Sequence, residues 1–92
     1  MKNGRYTIVF ERGGDPLGHI SPIGRNPLSF RIREEGKPHE RYLSVLVRVH
    51  EHTEKSREIQ ITGSLIINEV ERGSVTIIYK LDSKTGTFLF AE

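Results

Sequence analysis

Apolar residues return at every second position through most of this chain, the period of a strand with one buried face. Tyr6, Ile8 and Phe10 alternate with Thr7, Val9 and Glu11, which predicts a first strand. Leu28, Phe30 and Ile32 alternate with Ser29, Arg31 and Arg33, which predicts a second. In a third, Leu43, Val45, Val47 and Val49 face one way while Ser44, Arg48, His50 and His52 face the other. The same parity runs on through Ile59, Ile61, Gly63, Leu65 and Ile67. Residues 57–71 therefore read as one long strand kinked at Thr62-Gly63-Ser64, where a missing side chain marks a bulge or sharp bend. Val75, Ile77, Tyr79 and Leu81 give the next strand. The run 82–86 reads as a hairpin turn ending at Gly86, and Phe88 and Phe90 face inward on a short last strand.

No stretch holds the 3.6-residue period long enough for a helix. Strands every ten or so residues, with turn signals between them, predict an all-β fold. The expectation is one domain over residues 1–92, a small antiparallel β-sandwich or barrel of about seven strands. The seventh would be a short strand at 17–21, inside a connection over residues 12–27 that is rich in glycine and proline. Connections in compact domains usually span about 4–6 residues, so one this long is expected to carry function, to be mobile or to contain that extra strand.

Composition narrows the function classes. A chain of 92 residues without cysteine forms no disulfide framework and no thiolate metal site. No apolar run approaches the roughly 18 residues of a membrane helix. The start, Met1 to Gly14, lacks the apolar core of a signal peptide because Glu11 and Arg12 interrupt it. A cytoplasmic protein with no membrane partner is the expectation. The 14 basic and 12 acidic residues leave a net charge of only +2, so charge by itself argues weakly for nucleic acid. Nine of those basic residues are arginine, the better side chain for bidentate phosphate contacts, which tilts the balance slightly.

Candidate chemistry is sparse. His50 and His52, placed on one side of a strand, could both reach one metal ion, with Glu54, Glu58, His19 or His39 as a further ligand. His50, His52, Glu58 and Gly63 follow the order of the cupin motif at other spacings, and a second such motif is missing. With charged neighbours all round, solvated strand-end histidines are the simpler expectation, and no metal or cofactor is assigned. No serine lies in a nucleophile-elbow context, and the adjacent Glu34 and Glu35 point to opposite sides of a strand. No enzyme is expected. The polar faces carry more: Arg31 and Arg33 share one side of a strand, as do Ser44 and Arg48. If the two strands are neighbours, their outer face is a basic strip, either for phosphate or salt-bridged to nearby glutamates.

The segment Val45 to Gly73 resembles the second half of the trp RNA-binding attenuation protein family. Glu51-His52-Thr53 matches the end of one strand of that family, and Ile59, Ile61 and Gly63 match the spacing of the next. Leu65, Ile66 and Gly73 follow in order, across a turn placed at residues 54–56 and longer than the family's. The resemblance implies a small antiparallel sandwich whose edge strands pair with the next copy to close a ring. It implies a small amino-acid-like ligand held between subunits by Gly24, Arg25, His52 and Thr53. It also implies RNA contacts, but the positions that are basic in the family are Gln60 and Thr62 here. Basic residues left for nucleic acid are Arg31, Arg33, Arg48 and, in the preceding hairpin, Lys37.

The functional expectation is a homo-oligomeric β-protein that binds RNA or a regulatory partner. The alternative is a protein-interaction module or inhibitor acting through a sheet edge or the 12–27 connection.

Overall fold

A ribbon with one apolar face must bury that face, and a single layer of such ribbons can do so by curling until its ends meet. The computed structural model describes residues 1–10, 26–36, 42–82 and 85–92. Its strands are β1 (Gly4–Ile8), β2 (Leu28–Glu34), β3 (Leu43–Lys55), β4 (Glu58–Ile67), β5 (Val70–Lys80) and β6 (Thr85–Ala91). Each is antiparallel to the one before, and β6 returns to β1, so the sheet closes into a six-stranded barrel. The all-β expectation holds, with six strands among the described residues rather than about seven. The extra strand expected at 17–21 lies outside the described residues.

The alternation assigns the interior correctly. Tyr6, Ile8, Leu28, Phe30, Ile32, Val47, Ile59, Ile61, Leu65, Val75, Ile77, Tyr79, Phe88 and Phe90 are buried, and every one belongs to the expected inward set. Phe88 sits at the seam. It meets Tyr6 edge-on at 6.2 Å and Phe30 at 6.4 Å, so aromatic packing ties β6 to β1 and β2 across the closure. The Tyr6 hydroxyl donates to the Lys2 carbonyl at 2.6 Å, which satisfies its polar tip. Leu43 is the departure: it lies at the start of β3 and is 43% exposed.

Two turn expectations are corrected. Residues 57–71 are not one strand: the chain reverses at Asn68 and Glu69, both with positive φ (49° and 67°), and Val70 and Glu71 belong to β5. Two left-handed residues in a two-residue loop suit the twist of a hairpin. Gly86 does not end a turn. It is buried within β6 opposite Tyr79, and a Cβ there would come 3.0 Å from the Ile8 side chain.

The expected kink at Gly63 is present, as a pair of register shifts on either side of β4. Against β3, Val49 pairs with Gly63 and Glu51 with Thr62, so His50 is an extra residue in β3. Against β5, Gly63 pairs with Val75 and Leu65 with Arg72, so β5 carries an extra residue too. Such bulges bend a strand and increase its twist, which a small barrel needs in order to close. Gly63 permits the bend because a Cβ there would collide with the Arg48 carbonyl oxygen. On β5, Gly73 has φ of 61°, a conformation glycine adopts without steric cost.

Backbone cannot yield as a flexible side chain does. Gly63→Ala is therefore expected to cost about 3 kcal/mol or more in urea unfolding, and Thr62→Ala, one residue away and pointing outward, about 0.5 kcal/mol or less.

Candidate nucleic-acid interface

Because β2 pairs with β3 from Leu28–Val47 to Ile32–Leu43, the outward residues of both strands form one surface. Arg31 lies opposite Ser44 on β3, and Arg33 lies opposite Thr7 on β1. The two arginines are successive outward positions of β2, about 7 Å apart along the strand. Neither forms an ion pair with a carboxylate among the described residues. The Arg31 guanidinium instead sits 4.4 Å from the ring centroid of Tyr42, which is 50% exposed. Tyr42 stands two residues before Ser44, in phase with the outward side of β3, and so reaches Arg31 on the diagonal. The result is a stacked cation and aromatic ring beside a second guanidinium, on an outward sheet surface.

Arg48 does not join this group. The row Ser29–Leu46 separates it from Arg31, four residues along β3 or about 13 Å, and Glu71 neutralises it at 2.6 Å. Here the salt-bridged reading of the polar face applies. Lys37, Gly24 and Arg25 lie outside the described residues.

The bulge at His50 also changes the histidine pair. Alternation alone puts His50 and His52 on one side, and the extra residue moves them to opposite sides. His50 is on the outer face, where its Nε2 and the Ser64 hydroxyl share a hydrogen bond of 2.8 Å. His52 pairs with Ile61, a fully buried inward residue, and its imidazole lies 3.8 Å from the Glu54 carboxylate on that same inner side. The two imidazoles cannot share one ion across the sheet, which removes the premise of the metal reading. Thr53 pairs with Gln60 on the outer face, so His52 and Thr53 also diverge. The turn after them comprises Ser56 and Arg57 rather than residues 54–56.

Asn26 is a positional residue the sequence reading missed. Its side-chain amide accepts from the Val49 N–H at 3.0 Å and donates to the Val49 carbonyl at 3.1 Å. It thus stands in for the next residue of β2 and ends the β2–β3 pairing. Beyond it, among the described residues, Glu51–Lys55 pair only with β4.

Comparison of the chain with protein-family models, curated proteins and solved structures finds no match. The functional reading accordingly stands on geometry.

Asn26→Ala removes both bonds to Val49. It is expected to cost about 1–2 kcal/mol in stability and to speed amide exchange at Val49 in NMR, with Ile77 unchanged relative to global unfolding.

Proposed function

We propose that the chain is a small nucleic-acid-binding barrel that holds single strands on the outer face of β2 and β3. The observation that carries this is the Arg31–Tyr42 stack beside Arg33. A guanidinium already lying on an aromatic ring is preorganised: the ring offers a base a stacking surface while both arginines meet phosphate oxygens. A convex sheet surface bearing short rows of polar side chains suits an unpaired strand better than a duplex groove. Few cations take part, so the affinity is modest, and salt weakens it by a shallow slope.

The edge of β3, unpaired beyond Val49 among the described residues, supports a second reading. Glu51–Lys55 offer backbone groups to a partner protein's extended segment, which would add there as a strand.

Fluorescence anisotropy with labelled oligouridine and oligothymidine separates the two. Micromolar binding with a log–log salt slope of about −1.4 is expected, as for two phosphates neutralised on a single strand. Tyr42→Ala and Arg31→Ala should each weaken binding about tenfold, while Arg48→Ala, already paired with Glu71, leaves it within about twofold. Binding that ignores Arg31 and Tyr42, or no binding at low salt, overturns the proposal.

A further inference from the structure

The charge on the barrel's outer surface is unevenly distributed. Arg5, Arg31, Arg33, Arg48 and Glu51 point outward from β1, β2 and β3. On β4, β5 and β6 the outward positions alternating with the buried Ile61, Ile77 and Phe88 are Gln60, Thr62, Thr76, Ile78, Thr87 and Leu89. None is charged, in a chain of which 28% of residues are. One border of this area is the paired row of Glu58 and Lys80.

The strand register shows what the uncharged area is shaped to meet. One row runs Arg5–Leu89–Thr76–Thr62–Glu51, each residue directly opposite the next across β1, β6, β5, β4 and β3. The adjacent row runs Thr7–Thr87–Ile78–Gln60–Thr53. The first row carries a cation at one end, an anion at the other, and uncharged residues between. A two-fold axis parallel to β5 reverses each row onto itself. It lays Thr76 over Thr76, Ile78 over Ile78 and Thr87 over Gln60 of the second copy, and brings Arg5 of one copy to Glu51 of the other at both flanks. Among the described residues Arg5 pairs with Glu35 alone, at 3.2 Å and in solvent, which constrains it weakly.

We infer that the β4–β5–β6 face is a self-association surface, on which two copies meet about a two-fold axis along β5. Each copy carries net positive charge, and this is the outer face where they meet without opposing like charges at the centre. The contact is face to face, so it needs no open strand edge. β2 lies across the barrel from β5, and both Arg31–Tyr42 surfaces remain exposed.

Strand spacing of about 4.8 Å and a rise of about 3.4 Å per residue make the three-strand face only a few hundred Å² per copy. That falls below the size of a lasting complex, so the dimer is reversible, with a dissociation constant on the order of 100 μM.

Sedimentation equilibrium over a concentration series tests this. A reversible monomer–dimer equilibrium is expected. Thr76→Arg, which places two like charges on the axis, should weaken it at least tenfold, with oligouridine binding by the dilute monomer unchanged. Arg5→Glu and Glu51→Arg should each weaken it, and the double variant should restore it, since these residues lie on opposite flanks of one copy and can compensate only between copies. Circular dichroism and urea unfolding of dilute samples check that each variant folds. A wild type that stays monomeric up to about 1 mM, a Thr76→Arg protein that dimerises like the wild type, or a folded double variant no better than the single ones overturns the inference.

Discussion

The pairing of β1 with β6 is the constraint on which the rest of this molecule depends. Five residues, Gly4 to Ile8, run against Phe90 to Gly86, and that short ladder turns a six-stranded sheet into a barrel. Were it absent, Tyr6, Ile8, Phe88 and Phe90 would lose much of their cover, and β1 and β6 would each present an unpaired edge. Closure in turn demands strong curvature from the long β3–β4–β5 ribbon. Gly63 supplies it by letting the Arg48 carbonyl approach where any side chain would stand, and extra residues in β3 and β5 absorb the change in register. A local steric fact at one glycine is thus coupled to a seam on the other side of the barrel.

Closure also changes the argument about assembly. An open sandwich of this size has edges to hide, and pairing them with further copies is one way to do so. A barrel closed within one chain has no strand left wholly unpaired among the described residues; the remaining edge is the far half of β3. The ring arrangement implied by the family resemblance therefore loses its physical motive. The uncharged face of β4–β6 provides a different one, through side chains instead of backbone. The arginine–tyrosine surface and the uncharged surface lie on opposite sides of the barrel, so the two proposed contacts do not compete for one face.

Alternation was enough to read the core residues of every strand because a one-sided sheet tolerates no other pattern there: a shift of one residue would place Phe30 and Phe88 in water. What alternation cannot carry is pairing. The turn at Asn68 and Glu69 escaped because those residues lack the glycine that usually announces a primed turn, and Ile67 and Val70 keep the apolar run going through it. The separation of His50 from His52 escaped because its cause lies on β4, where Gly63 draws β3 in. Tyr42 was legible in principle, in phase with Ser44, but its value comes from Arg31 on the neighbouring strand. Sandwich and barrel share one sequence pattern, and the β1–β6 pairing distinguishes them.

Amide hydrogen exchange along β1 tests closure most directly. The Val9 N–H donates to the Arg31 carbonyl and the Arg5 carbonyl accepts from the Glu35 N–H, so odd-numbered residues of β1 face β2. The N–H groups of Tyr6 and Ile8 consequently point toward β6. In a closed barrel Tyr6, Ile8 and Phe88 exchange as slowly as Thr7, through opening of the whole sheet. Rapid exchange at Tyr6, Ile8 and Phe88 with Thr7 still protected would mean that the seam is open and the account of the fold is wrong.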